Sequence, residues 1–393
     1  MSGKTPKVEI NPKVLIWARS ALGYSESELS KKLKIKESLL KKWESGEERP
    51  SFAQLKKVAD FLKRPTTTFL LNEVPPAEPL PKDFRVLEEA DIRKLSPDTI
   101  IEIRKAQRKR QLAIDLANDL GEEIEEFSGR ASINDNISNL ARKYRQLFNI
   151  TIDKQINWQS DYQAFNYWKA AIEAQGVLVF QASLDSLDEM RGLAIYGKKL
   201  PFILLNTKDS IRGKLFSLLH EFCHLLLHQS GIGNIDANWE TKGKYNPIEV
   251  FCNAFAAEAI LPLADFREAA AEKLPITEAV VKMLANRFKV SWDVALRRSL
   301  DADLLSSTAY KKLRHEYLAK FEKSKTKKKS GNVPIHVKAL SYNGEAYTNL
   351  VLEGLSRDRI NLSDVINYLD VSYKHLDKIR DEISGRRKKD KDL

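Results

Sequence analysis

Three of the chain's six histidines crowd into one segment, SLLHEFCHLLLH (217–228), and no other stretch constrains the fold as tightly. His220 and His224 are four residues apart. At about 100° per residue a helix sets them roughly 40° apart on one face, so both imidazoles reach a single ion. Glu221 projects beside them. The result is HExxH, the spacing by which a helix offers two zinc ligands and a carboxylate that can take a proton from an attacking water. Leu218, Leu219, Phe222, Leu225, Leu226 and Leu227 make this helix apolar nearly all round, so the site is expected to be buried, where uncompensated polar groups are costly. An active zinc site wants three protein ligands and one open position. A second apolar helix, NPIEVFCNAFAAEAILP (246–262), offers Glu249, with Asn253 one turn later on the same face and able to orient a ligand. Glu249 would complete the set. Glu258, further along, and Cys252 compete for that place.

Composition narrows the alternatives. Only two cysteines occur, Cys223 and Cys252, which excludes a disulfide framework and a four-cysteine zinc module, so a metal must be held mainly by His, Asp or Glu. Lys plus Arg number 65 against 54 Asp plus Glu, giving +11, a balance that suits a polyanionic partner, although KSKTKKKS (323–330) and RRKKDK (386–391) carry much of the excess. No apolar run approaches the roughly 18 residues that cross a bilayer, and the N-terminus lacks the apolar core of a signal peptide. A soluble, cytoplasmic protein without membrane contact is expected.

At roughly 100 to 200 residues per domain, 393 residues predict two or three domains. Residues 12–71 read as short helices, and the proline-dense VPPAEPLP (74–81) follows as a linker. Long helices are expected over 97–127 and a helix over 158–176, ended by Gly176. Three apolar runs, VLVFQA, GLAIYG and PFILLN, predict a small sheet. Helix returns from Asp209 to Leu227, over 247–261 up to Pro262, and from about 276 to 322. The aromatic WQSDYQAFNYWK (158–169) has helical spacing and is read as core, and RKAQRKRQ (104–111) as the solvated face of a helix. Residues 345–383 look like a small helical bundle that either docks a partner or forms a second, degenerate helix-turn-helix. The expected divisions are 1–73, a linker 74–96, 97–322, a basic linker 323–334, and a helical region 335–393.

Within the first division, SESEL reads as a capped helix start, and KIKESLLKKWESG as a second short helix ended by Gly46. The segment resembles the Cro/repressor (XRE-like) class, with Trp43, Glu44, Gly46, Pro50, Leu55, Ala59 and Leu62 at that class's framework positions. The resemblance implies that the helix from about Lys36 to Trp43 enters the major groove of an operator, with Lys36, Glu37, Ser38, Lys41 and Lys42 as contact residues. Two departures stand out. Glu26 occupies the place of a phosphate-gripping glutamine, where a carboxylate is repelled by the DNA backbone, and Leu39 that of a polar base reader.

HEFCHLLLH followed by EVFCNAFAAEAILP resembles the paired signature of the ImmA/IrrE metallopeptidases, HExxH and then ExxANxFAAELLxP. Phe216 and, more loosely, FKVSWDVALRRSL (288–300) extend the likeness. It implies that Glu249 is the third ligand beside His220 and His224, that Glu221 is the general base, and that the ion is Zn2+. Asn253 would support the ligands, and His228 would support them or be structural, with metal ligation as its alternative. Cys223 and Cys252 depart from the glycine and alanine common at those places, which affects helix packing more than chemistry. Family members cleave repressor proteins or promote their cleavage.

The expected architecture is multidomain and mainly α: an N-terminal five-helix helix-turn-helix domain, an α+β zincin-like (gluzincin) domain with a small sheet, and a helical C-terminal region. The expected function is a DNA-binding transcriptional regulator whose zinc-dependent metallopeptidase domain cleaves or controls a repressor or partner protein. The alternative is an antitoxin or repressor of a toxin-antitoxin or phage-type module, its zincin fold a non-catalytic scaffold for a cognate toxin or other partner. Partners are then double-stranded DNA, a protein and, if the chain dimerises, a second copy.

Overall fold

The computed structural model describes residues 6–62, 64–75, 95–229, 231–233, 246–324 and 333–391. Most of the two expected linkers, 76–94 and 325–332, lies outside the described residues. The chain divides into two compact units, residues 1–105 and 106–393.

The first unit contains α1 (Pro12–Ser20), α2 (Glu26–Leu33), α3 (Glu37–Ser45), α4 (Phe52–Phe61) and a 3₁₀ turn at Thr66–Leu70, the five helical elements expected. Local chemistry sets their ends. Ser25 accepts the N–H of Glu28 while the Glu28 carboxylate accepts the Ser25 N–H, and Ser51 with Gln54 repeats this capping box before α4. Gly46, at φ +80°, takes the left-handed step that stops α3. Leu15, Leu29, Leu40, Trp43, Leu55 and Phe69 fill the core. Buried Glu44 is held by the Arg19 guanidinium through two bonds of 2.7 and 2.8 Å.

The division falls inside α5 (Pro97–Leu120), not before it as the sequence boundary at 97 supposed. Ile100 and Ile101 pack with the first core, and Asp98 accepts from the Tyr24 hydroxyl and pairs with Lys32. Proline marks where helix cannot run, but these side chains decide where the first core ends.

In the second unit α6 (Ile137–Leu147), α7 (Ile152–Asn157) and α8 (Asp161–Glu173) precede a sheet of β1 (Leu178–Ala182), β2 (Gly192–Ile195), β3 (Phe202–Asn206) and β4 (Gly231–Gly233), in the order β1-β3-β2-β4. The first three strands are the three apolar runs. They are buried throughout, and β1 pairs parallel with β3 while β2 runs antiparallel to both β3 and β4. On this sheet lies α9 (Ile211–Leu226), capped by Ser210, and against it packs α10 (Pro247–Ile260), capped by Asn246 with proline in its first turn. Pro262 separates α10 from α11 (Leu263–Ala271), and α12 (Glu278–Phe288), α13 (Trp292–Asp301) and α14 (Ser307–Ser324) complete the surround. Among the described residues no single helix is long and apolar enough to cross a membrane.

The C-terminal helices α15 (Ile335–Asn343), α16 (Glu345–Ser356), α17 (Leu362–Leu369) and α18 (Leu376–Lys391) belong to this same unit. α15 packs on β1. The Gln181 amide donates to the backbone and hydroxyl oxygens of Ser341 at 3.0 and 2.7 Å, Lys109 donates to Asn343, and the Phe180 ring meets Tyr347 edge-on. The carboxylate of Glu173 accepts backbone N–H groups of Val179 and Glu345, and burial pushes its pKa up to about 7. Gly344 makes that approach feasible. Its φ is +78°, and a Cβ there would collide with the Glu173 carboxylate and lie 2.8 Å from the Val179 carbonyl. Gly344→Ala is therefore expected to cost roughly 2 to 4 kcal/mol. Urea unfolding should show an earlier midpoint, and an unchanged midpoint would mean that this junction does not hold the C-terminal helices to the sheet.

Candidate metal centre

α9 and α10 bring three lone-pair donors to one point. His220 Nε2 and His224 Nε2 are 3.1 Å apart, and the two oxygens of the Glu249 carboxylate face them, Oε2 at 3.2 Å from His220 Nε2 and Oε1 at 3.2 Å from His224 Nε2. Both imidazoles are almost wholly buried. A tetrahedral ion with bonds of about 2.0 to 2.1 Å sets its ligands roughly 3.3 Å from one another, so the donor set fits zinc in both spacing and chemistry. Among the described residues these are the three His, Cys, Asp or Glu side chains that come together closely enough to hold a metal.

The electrostatics agree with that fit. Burial lowers the pKa of His220. Burial also opposes charge on His224, but Cys252, Glu249 and Glu221 outweigh it and raise its pKa well above the usual imidazole value. Burial alone would raise the Glu249 carboxyl, yet the two imidazoles bring it far below the usual carboxylate range. Opposite shifts in adjacent groups mark a cluster that titrates as a unit.

Glu221 stands next to the cluster, fully buried, and makes no hydrogen bond of good geometry, the Ala194 backbone N–H acting on it as a weak donor. Burial pushes its pKa up to about 8. It fits because β2 begins with glycine: a Cβ on Gly192 would lie 2.9 Å from both Cγ and Oε1 of Glu221. Sequence reasoning did not single out Gly192, although its position at the head of GLAIYG was available as a signal.

Residues 172–300 match the model of the IrrE N-terminal-like domain, a peptidase family, and residues 15–69 match a helix-turn-helix model. The chain joins a helix-turn-helix domain to an IrrE-like domain. No curated protein matches it significantly. The IrrE-like match takes in the sheet and α9 to α13, all but the last residue of α13, and hence every residue of the cluster, while α6, α7 and the C-terminal helices lie outside it.

Of the competing ligands within the IrrE-like domain, Glu258 is engaged elsewhere. Glu258 accepts from Arg298 and from the Ser138 hydroxyl, each at 2.8 Å, and does not join the cluster. The Cys252 thiol acts on His224 as a neighbour, and Asn253 acts likewise on His220. His228 lies outside the cluster: its Nε2–H donates to the Gly129 carbonyl at 3.0 Å and its ring stacks on Tyr196. In the helix-turn-helix domain Lys36 is the N-cap of α3, and Lys36, Ser38, Lys41 and Lys42 are exposed while Glu37 is half-buried. Lys41 pairs with Glu37 at 2.9 Å and with Glu26 at 3.5 Å, so the carboxylate that departs from the class is balanced by a lysine of α3. Leu39 is half-buried against the core.

Proposed function

We propose that the chain is a DNA-binding regulator whose IrrE-like domain is a zinc-dependent endopeptidase acting on a repressor or partner protein. The observation that carries this reading is the convergence of His220, His224 and Glu249 beside the buried carboxylate of Glu221. His220, His224 and Glu249 would hold the ion. Zinc, when bound, supplies Lewis acidity that acidifies a water and polarises a carbonyl. Glu221 then takes the proton of the attacking water and passes it to the leaving amine. Burial raises its pKa to about 8, so a proton it has accepted is held until the leaving amine takes it, and Gly192, lacking a Cβ, leaves the space the side chain occupies. Asn253 acts on His220 as a neighbouring side chain and would help to orient it.

A rival reading, in which the first domain docks a protein and the second is a scaffold, draws on one observation: Glu37 and Glu26 partly neutralise Lys41 on α3. The two readings differ in solution. If α3 enters the groove, DNA from the chain's own promoter should bind with log affinity falling linearly in log salt. Reversing Lys41 and Lys42 to glutamate should then weaken binding at least tenfold and flatten the slope by about 2. Fluorescence anisotropy across a salt series measures both. Undiminished binding would place the recognition surface elsewhere, and no binding by wild type would favour docking.

A further inference from the structure

A cavity of about 460 Å³ opens one helical turn from the proposed centre. On α9 its wall includes Ser217, one turn before Glu221, and on α10 it includes Asn253, one turn after Glu249. Phe216, Val250, Ala254, Ala257 and Val294 give it a mainly apolar lining. Val250, beside the ligand Glu249, is 40% exposed and forms part of the rim. Deeper groups are unsatisfied. The Ser217 hydroxyl is fully buried and has no hydrogen-bond partner, and the Nε–H of buried Arg298 has none either. Buried polar atoms rarely stay unpaired, so these two look to the backbone of a bound peptide or to water, and it is the apolar lining that selects the side chain.

The charged residues around the cavity do not ask for an ion. Arg298 is paired with Glu258, Arg297 with Asp301, Arg314 with Asp293 and Arg191 with Asp209. A charged side chain entering here would lose its water and find each guanidinium already neutralised. An apolar side chain would exchange water for Phe216, Val250 and the alanine faces of α10.

We propose that this cavity is the specificity pocket of the peptidase and takes a large apolar side chain of the substrate, aliphatic or aromatic, next to the bond that is cut. The proposal rests on the peptidase reading. Ala254 and Ala257 make the pocket: any larger residue at those turns of α10 would fill it.

Zinc-loaded full-length protein is titrated calorimetrically with acetohydroxamate, which chelates zinc and has no side chain, and with hydroxamates bearing isobutyl, benzyl, carboxymethyl or aminobutyl groups beside the chelator. The isobutyl and benzyl compounds should bind roughly 10- to 100-fold more tightly than acetohydroxamate, as burial of such a group implies, and the charged ones should gain little. Ala254→Trp should erase the apolar gain while zinc content stays as in wild type. Val250→Trp, at the exposed rim, serves the same purpose if the first variant does not fold. Equal affinity for all compounds, or tightest binding of the carboxymethyl form, would overturn the pocket assignment and leave the metal centre standing. If acetohydroxamate fails to bind zinc-loaded protein, the peptidase reading falls and the pocket proposal with it.

Discussion

Replacing His224 by alanine is expected to take the protein from about one tightly bound zinc per chain to none. The residue supplies one of three donors, and an active site keeps three protein ligands with one position open. Two donors cannot hold the ion against a competing chelator. Changes that merely disturb the support of a ligand already cost about 10- to 100-fold in affinity, and loss of a ligand must cost more. Glu258→Ala is the matching control, because that carboxylate is committed to Arg298 and Ser138 and does not touch the cluster. Zinc is counted by plasma mass spectrometry after gel filtration against a weak chelator. Stoichiometric zinc in the His224 variant, or its loss in the Glu258 variant alone, would show that the ligand set is wrong.

Glu221→Gln should behave in the opposite manner, keeping the metal and losing the chemistry. The two side chains have nearly the same shape, and the Ala194 backbone N–H that acts on Glu221 can be met by the amide oxygen as well. Gly192 leaves space for either. Folding and zinc content should therefore be close to wild type. What disappears is a carboxylate able to accept and return a proton, and removal of a positioned general base typically slows the reaction about 10²- to 10⁴-fold. Rates on any peptide that wild type cuts, with zinc measured in the same samples, test both halves. A variant that stays active would move the base elsewhere, and one that loses zinc would make Glu221 a structural member of the cluster.

Much of this centre could be read from residue spacing because the motif is local. His220, Glu221 and His224 lie on one helix, so a periodicity of 3.6 residues places them without tertiary information. The third donor was harder. Glu249, Glu258 and Cys252 share one helix, and only the packing of α10 against α9 and the reach of one side chain from α13 separate them: Arg298, far along the chain, draws Glu258 away. α6 and α7 went unread although Ile137, Leu140, Ala141 and Tyr144 have helical spacing, because charged residues crowd between them. One of these, Arg145, is buried and bonded to Gln155 and the Ala259 carbonyl, which no local pattern announces. The C-terminal helices were expected to stand apart because a lysine-rich segment precedes them. They join the second unit through Gln181, Ser341 and Gly344, contacts between residues more than a hundred positions distant. Capping chemistry, by contrast, placed the ends of α2 and α3 well, since Ser25 and Gly46 act on their own neighbours.

The most direct test of the central claim is a comparison of protein N-termini in cells expressing wild type or Glu221→Gln at equal levels. Labelled new N-termini are identified by mass spectrometry. The account predicts that one or a few internal cleavage sites appear with wild type and are absent with the variant, while both proteins carry about one zinc. If the same termini appear with both, or with neither while the two regulate the chain's own promoter equally, the IrrE-like domain is a scaffold and Glu221 is no catalyst.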